Sequence, residues 1–226
     1  MIGFGLAPEA SVDLLAGMPV LLAILLIVGV VVAIVSLAWR QQKLARANLQ
    51  QLADRLGLKV MRRTGLPGDL GQATGSIGDR LVRFWVFATG SGKSRQNWCA
   101  VSVQPRASST LNFEIRRQGF GTKIMSWFGA KEIEVGEPAF DAAWFIQTNE
   151  PEFLAAALVP EIRAKLMGLV GESGEDGYKL IDGEVRFAVK GYFSTAGIAE
   201  RLEARLSVLA DLADVAEVFA ADQGRS

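Results

Sequence analysis

The chain has 226 residues, with 24 Lys or Arg, 24 Asp or Glu, no His and one Cys. Half of the residues are hydrophobic, which is typical of an ordered protein and excludes a disordered tail. The formal net charge of zero argues against nucleic-acid binding driven by bulk positive charge, and the length suits one domain with an appendage.

The lack of His and the single Cys exclude many kinds of catalytic and metal site. Without His there is no Ser-His-Asp or Cys-His pair, no His-based zinc site and no imidazole general base. Cys99 alone cannot form an internal disulfide or a Cys-rich cluster, so we predict neither a metal nor a cofactor. Cys99 lies in an alternating run, residues 98–103, which predicts a small buried core residue and not a reactive thiol.

The apolar stretch of residues 20–39 predicts a transmembrane helix, because it has no charged residue and consists mostly of Leu, Ile and Val. At about 1.5 Å per residue it reaches about 30 Å, the thickness of a bilayer core. Its insertion is favoured by about 4 to 8 kcal/mol. A cleaved signal peptide is the alternative, but residues 1–19 contain no Lys or Arg and the apolar stretch exceeds the usual length of about 7 to 15 residues.

The flanking charges predict the orientation of this helix. Glu9 and Asp13 precede it, whereas all 24 basic residues follow residue 39, beginning with Arg40, Lys43 and Arg46. The positive-inside rule then keeps the C-terminal side in the cytoplasm and places the N-terminus outside. We therefore predict a single-pass protein of the bacterial inner membrane.

The predicted fold class is α+β, with a mostly antiparallel β-rich domain after the membrane helix. The predicted parts are an extracytoplasmic N-terminus (1–19), the transmembrane helix (20–39), a juxtamembrane helical stalk (40–57), a cytoplasmic α+β domain (58–221) and a flexible tail (222–226). The stalk continues the membrane helix. It carries Ala45, Leu49, Leu52 and Leu56 on one stripe, and Gly57 is placed to end it in a left-handed conformation.

Alternation of apolar and polar residues predicts the strands of the domain. They span residues 72–77, 80–88, 97–103, 111–116, 131–135, 178–181 and 184–190. The pair Asp182-Gly183 between the last two is the strongest hairpin signal, because a type I′ turn needs a positive φ at both central residues. Helices are predicted from Pro151 to about Leu158 and from Pro160 to about Met167, and a long amphipathic helix with Ser194 as its N-cap follows the last hairpin.

The run Thr89-Gly90-Ser91-Gly92-Lys93-Ser94 is similar to a phosphate-binding P-loop. The first glycine of that motif falls on Phe87, however, and the residues that follow alternate like a strand where a P-loop needs a helix. We therefore predict a hairpin loop that binds no nucleotide.

Residues 136–148 predict a helical turn that runs into a strand, with Phe140 and Trp144 as core anchors. Asp141 lies between them and is expected to accept backbone N–H bonds that hold the turn. The segment resembles a Gly-acid-x-x-Phe-Asp-x-x-aromatic pattern of uncharacterised bacterial membrane proteins that have one membrane helix and one cytoplasmic domain. The resemblance extends loosely over residues 52–213 and implies no activity.

Residues 119–131 combine bulky apolar and basic side chains in a connection bounded by glycines. One prediction is that the segment folds over the domain's own core. The other is that it contacts a partner protein or the anionic membrane surface, since Trp, Phe and Lys suit an interface. The candidate contact residues are Ile124, Met125, Trp127, Phe128, Lys123, Lys131, Arg116 and Arg117.

The function predicted from these features is binding without catalysis, as a membrane-anchored adaptor or an accessory subunit of a membrane protein assembly. One alternative is recognition of lipid headgroups or the membrane surface, because strands followed by an amphipathic helix are similar to pleckstrin-homology-like barrels. Another alternative is an enzyme that depends on carboxylates. The predicted partners are the bilayer, through residues 20–39, and an unknown membrane or cytoplasmic protein, with no nucleic acid.

Overall fold

The structure, a computed structural model, describes residues 10–62, 69–118, 131–169 and 175–225. The helices are α1 (Ala10–Leu56), α2 (Pro138–Ala143), α3 (Pro151–Ala157), α4 (Pro160–Gly168), α5 (Ile198–Ala204) and α6 (Leu206–Gln223). The strands are β1 (Lys59–Met61), β2 (Gln72–Ile77), β3 (Arg80–Thr89), β4 (Gln96–Val103), β5 (Phe113–Arg117), β6 (Lys131–Ile133), β7 (Trp144–Thr148), β8 (Glu175–Ile181) and β9 (Glu184–Lys190). The chain divides into two compact units, Met1–Lys43 and Leu44–Ser226.

Helix α1 contains a segment that is long and apolar enough to cross a membrane. Its large apolar side chains from Leu22 to Trp39 are about half exposed or more. Further along the helix, Leu49 and Leu52 are fully buried in the core of the second unit. The predicted continuation of the apolar helix into a stalk is confirmed, and Gly57 ends the helix with a φ of +68°.

The nine strands form one antiparallel sheet in the order β1-β2-β3-β4-β9-β8-β5-β7-β6. The order ends in β1 on one side and β6 on the other, so the described strands form an open sheet and not the barrel of the pleckstrin-homology analogy. Consecutive strands pair as hairpins in β1 to β4 and in β8-β9. The β8-β9 turn has Asp182 at φ +53° and Gly183 at φ +74°, which confirms the predicted turn geometry.

All described helices bury side chains in one cluster together with one face of the sheet. The largest of these side chains include Phe84, Phe113, Phe140 and Phe187. The α+β prediction is confirmed, since a sheet that is covered by helices on one face buries its apolar residues at every second position.

Four local predictions were incomplete or wrong. Strand β1 was not predicted, because three residues are too few to show alternation. The C-terminal helix is broken at Arg205 into α5 and α6. Ser194 is not its N-cap, because a turn closed by a hydrogen bond from Thr195 N to Tyr192 O comes first and Gly197, at φ +79°, precedes the helix. Helix α6 continues to Gln223, into the segment predicted as a tail.

Candidate functional site

The face of the sheet away from the core cluster, here called the outer face, has a different composition from the core face. It carries the alternate residues of the central strands, namely Arg83, Trp85, Phe87, Trp98, Ala100, Ser102, Arg186, Ala188, Lys190, Lys179, Glu114, Arg116, Phe145 and Gln147. Ala100 and Ala188 are buried, yet neither belongs to the core cluster. The buried side chains of the described helices belong to the core cluster on the other face.

A row of mostly polar side chains crosses the outer face from strand to strand. Its successive register partners are Lys59, Thr74, Arg83, Ser102, Arg186, Lys179, Glu114, Gln147 and Glu132. The cations occupy the β1 to β8 side of the row and the two carboxylates occupy β5 and β6. The charge therefore changes sign across the face.

Glu114 is the centre of a buried ion cluster in this row. Its Oε1 lies 3.4 Å from Lys179 Nζ and 3.8 Å from Arg116 Nε, and the side chains of Glu114 and Lys179 are 6% and 7% exposed. The guanidinium carbon of Arg116 lies 4.2 Å from the ring centroid of Phe145. Buried charges have to be paired in this way, so the ion pairs account for the burial of these charges.

Three aromatic side chains form a patch at the opposite side of the outer face, here called the aromatic patch: Trp85, Phe87 and Trp98. Phe87 lies between the two tryptophans with ring centroids 6.4 Å from each, and its ring is stacked on Trp98 at 13°. All three are partly exposed. Aromatic residues are the side chains most enriched at protein interfaces, so this patch is the strongest indication of a binding surface in the described chain.

Polar groups fix the position of the aromatic patch. The indole N–H of Trp98 donates to Thr89 Oγ1 at 2.9 Å. The guanidinium carbon of Arg83 lies 4.5 Å from the Trp85 ring centroid, and Arg83 Nη2 lies 2.5 Å from Glu184 Oε2. A guanidinium stacked on an indole and held by a carboxylate is ordered before any partner arrives, which lowers the entropic cost of binding.

The aromatic patch was not predicted from the sequence, because the alternation in β3 was read only for the residues that enter the core. The alternation in residues 80–88 puts Val82, Phe84 and Val86 on one face; Val82 and Phe84 are buried there, and Val86 is partly buried against the core cluster. The signal for a second apolar surface was present in the alternate positions, Trp85 and Phe87, since the solvent face of a strand is usually polar.

The predicted contact residues that the structure describes do not lie together. Arg116 and Arg117 pair with Phe145 and Trp144 at one end of β7, whereas Lys131 pairs with Thr148 at the other end. The side chain of Arg116 is only 14% exposed, and Lys131 is exposed. Lys123, Ile124, Met125, Trp127 and Phe128 lie outside the described residues, so that surface stays a prediction.

The Gly-Lys-Ser run forms the connection between β3 and β4, as a single 3₁₀ turn, Gly92–Ser94. The chain enters β4 directly afterwards, and Phe87 is part of the aromatic patch. The predicted hairpin loop is confirmed. A P-loop needs a helix at this position, so the run does not have P-loop geometry.

Cys99 and Asp141 have the structural roles predicted for them. Cys99 is fully buried, and burial raises the pKa of its thiol to about 12, so it is not a nucleophile at neutral pH. The carboxylate of Asp141 accepts the backbone N–H of Val135 at 2.9 Å and that of Gly136 at 3.0 Å. Phe140 and Trp144 on either side of it are buried, as expected of core anchors.

A network of charges connects helix α6 to the start of strand β3. Arg80, which is almost buried, donates to Ala210 O at 2.7 Å and pairs with Asp214 and Glu217. Arg106 pairs with Glu217 at 2.5 Å and with Asp79 at 2.9 Å. The network joins the β2-β3 turn to α6 and therefore stabilises the packing of this helix on the sheet.

Two of the cavities in the second unit are lined by residues that the structure describes. One, of about 240 Å³, is lined by the end of α1 and the start of α5, including Asn48, Arg55 and Glu200. The other, of about 210 Å³, lies beside Arg95 and Tyr192 at the β3-β4 end of the sheet. Within the described ranges no group of three or more acidic or Cys residues is arranged to hold a metal ion.

No protein-family model matches the sequence, and no curated protein matches it. The fold is similar to the crystal structure of the mycobacterial trehalose monomycolate transport factor A, with a TM-score of 0.51 over 76% of this chain and 93% of that chain. The two sequences are 7% identical, so the likeness shows the fold alone. The resemblance to single-span bacterial membrane proteins stays a prediction.

Proposed function

We propose that the protein is a membrane-anchored accessory protein whose domain binds a partner protein through the aromatic patch on the outer face of the sheet. The observation that carries this proposal is the set of three adjacent, partly exposed aromatic rings on a sheet face to which the described helices contribute no buried side chain. Partly exposed aromatic rings of this kind are typical of interface hot spots.

The charges around the patch define the chemistry of the partner. Lys190 is exposed beside Trp98 in the register of β4 and β9, and Arg83 is stacked on Trp85. An apolar partner surface that carries carboxylates therefore complements this region, because the aromatic rings bury apolar area while the cations set the register.

The membrane anchor in this proposal is residues 20–39, with the domain in the cytoplasm and the short N-terminus outside. The apolar helix and the basic residues that follow it support this topology. A cytoplasm-active reporter fused after Ser226 should be active, and a reporter that requires export should be inactive in the same position. The reverse pattern would overturn the orientation and the bacterial inner-membrane assignment that depends on it.

The likeness to a transport factor agrees with an accessory role. Because the likeness is one of fold, it does not indicate that this protein has the same cargo. The 119–131 segment is a second candidate contact within the same function. Its residues Trp127 and Phe128 can be tested beside the aromatic patch in one experiment.

The experiment is photo-crosslinking in the producing cell with the full-length protein. A photoreactive amino acid is placed at Trp98, at Trp127 or at Val218, which is 61% exposed on α6 and is the control for random collisions. The proposal expects a discrete adduct from position 98, identified by mass spectrometry as a protein, and none from position 218.

A matched pair of variants tests the same contact without a crosslinker at the interface. Trp85→Ser should remove the adduct formed from position 98, whereas Val218→Ser should leave it unchanged. Adducts of equal intensity from positions 98 and 218, or an adduct that survives Trp85→Ser, would overturn the aromatic patch as the binding surface. An adduct from position 127 alone would assign the contact to the 119–131 segment instead.

A further inference from the structure

The cavity of about 210 Å³ lies where the β3-β4 hairpin extends past the core. Its walls are Val86, Phe87, Ala88 and Asn97 of the hairpin, the Asp69–Gly71 segment and Tyr192, which follows β9. Arg95, the first residue after the 3₁₀ turn of the Gly-Lys-Ser run, also lines it. The turn formed by the Gly-Lys-Ser run therefore places the side chain of Arg95 at the cavity.

Three side-chain donors of this cavity have no partner in the part of the chain that the structure describes. They are the guanidinium of Arg95, the amide of Asn97 and the hydroxyl of Tyr192. The backbone groups nearby are used, since Gly191 N donates to Asn97 O at 3.0 Å. Groups of this kind at a concave site are either hydrated or bound to a ligand, and together they offer a planar fork, an N–H donor and an O–H donor.

A second guanidinium acts on the same site. Burial raises the pKa of Tyr192, and the charge of Cys99 adds to this, while Arg95 and Arg46 both act to lower it. Both cations are thus close enough to the phenol to influence it. Arg46 is held in place because its Nη2 donates to Asp69 O at 3.1 Å.

The one carboxylate that lines the cavity is already engaged. Asp69 Oδ1 accepts the backbone N–H of Gly71 at 2.8 Å. Two guanidinium groups therefore act against one carboxylate, and Lys93 adds a further charge two residues before Arg95 on the same loop. The local potential is positive, which favours an anion.

We propose that this cavity binds the phosphate group of an anionic ligand through Arg95, Asn97 and Tyr192. A guanidinium matches the oxygens of a phosphate with two parallel hydrogen bonds, and the amide and hydroxyl donate to the remaining oxygens. The apolar walls formed by Val86 and Ala88 suit the organic part of such a ligand. Phe87 belongs both to the aromatic patch and to the lining of this cavity, whereas the three proposed phosphate ligands lie outside the patch.

The phosphate can come from an anionic phospholipid headgroup or from free phosphate. Arg46 follows Trp39, the last residue of the predicted membrane span, by seven positions in sequence. A phospholipid is therefore the source favoured by the short sequence distance between Arg46 and the predicted membrane span. The two sources differ in how binding responds to competition by inorganic phosphate.

The test uses the full-length protein in a neutral detergent, with native mass spectrometry to count bound phosphatidylglycerol against phosphatidylcholine. Inorganic phosphate is then added at constant ionic strength, with chloride as the control. Arg95→Gln should weaken binding of the phosphate-bearing anion by about tenfold or more, since a charge-assisted hydrogen bond is lost. Tyr192→Phe should weaken it by about two- to tenfold, because it removes only a neutral donor.

Arg225→Gln is the matched control, because Arg225 is an exposed cation that follows helix α6 and does not line the cavity. It should leave binding unchanged. Selective retention of phosphatidylglycerol that inorganic phosphate does not displace identifies a lipid headgroup, and displacement by inorganic phosphate identifies free phosphate. Equal affinities for Arg95→Gln and the unchanged protein, or equal losses for Arg95→Gln and Arg225→Gln, would overturn the proposal. Thermal unfolding of each variant separates lost binding from lost folding.

Discussion

Strand β3 presents two faces that differ in burial and in chemistry. On the core face Phe84 is fully buried among aliphatic and aromatic neighbours, whereas on the outer face Phe87 is partly exposed and stacks on Trp98. The same residue type therefore has two roles, and the face assigned by strand alternation decides which one it takes. On the core face it stabilises the fold, and on the outer face it is available to a partner.

The charges show the same difference between the faces. On the core side Arg80 and Arg106 use their guanidinium groups to attach helix α6 to the sheet. On the outer face Glu114 and Lys179 are buried in a pair between neighbouring strands. Charges on the core side thus join layers, while those on the outer face determine which strands lie side by side.

The largest expected effect is on the core face. Phe84→Ala should lower the free energy of unfolding by about 3 to 5 kcal/mol, because it removes a fully buried ring and leaves a cavity. Chemical denaturation of the full-length protein in detergent measures this change.

Phe87→Ala is the matched control for the comparison of the two faces. It should cost only about 1 kcal/mol, since the ring keeps contact with water in the folded protein. If both variants lost the same stability, the outer face would be part of the core, and the aromatic patch could not be a free binding surface.

Arg80→Met should lower the free energy of unfolding by about 2 kcal/mol, because hydrogen bonds to Ala210 O and to the carboxylate of Glu217 are lost from an almost buried site. Arg80→Lys keeps the charge and loses the planar fork, so it should recover only part of this stability. Thermal unfolding checks the order of the three proteins. Equal stability of all three would mean that α6 is held by its apolar face alone.

Asp141→Ala should cost about 0.5 to 2 kcal/mol, because the backbone N–H groups of Val135 and Gly136 lose their acceptor. Asp141→Asn keeps one acceptor oxygen and should cost less. The effect should be confined to the turn before α2, which hydrogen exchange of these two amides can show. Unchanged exchange would contradict the proposed role of the carboxylate.

The smallest expected effect is the pH dependence of the Arg106 network. The hydrogen bond from Arg106 lowers the pKa of Asp79; burial acts to raise the pKa of Glu217, but the bonds from Arg106 outweigh it and lower that pKa as well. A lowered pKa contributes stability above the unfolded values, 3.8 and 4.5, and this contribution is lost as the pH falls through the folded values.

Arg106→Gln should therefore be less stable than the unchanged protein at neutral pH, and the difference should shrink below about pH 4.5. Denaturation at a series of pH values measures the difference. A difference that stays constant from neutral to acid pH would show that the pairs of Arg106 are not linked to proton binding.

Much of the local structure could be predicted from the sequence because it depends on neighbouring residues. The apolar stretch of residues 20–39, the stalk ended by Gly57, and the turn at Asp182 and Gly183 all follow from the conformational preferences of short segments. The role of Asp141 was also predictable, because the backbone N–H groups that donate to it lie five and six positions away in sequence.

The order of the strands and the composition of the candidate sites could not be predicted in this way. Strand β9 lies between β4 and β8, and the cavity brings together Asp69, Arg95 and Tyr192 from three separate segments. The alternation of apolar and polar residues shows that a strand has two different faces, but it does not show which face the helices will cover. For that reason the sequence by itself determined most of the helices and strands, the candidate anchor helix and the excluded chemistries, whereas the tertiary structure decided the outer face, the aromatic patch and the cavity, because each depends on contacts between residues far apart in the chain.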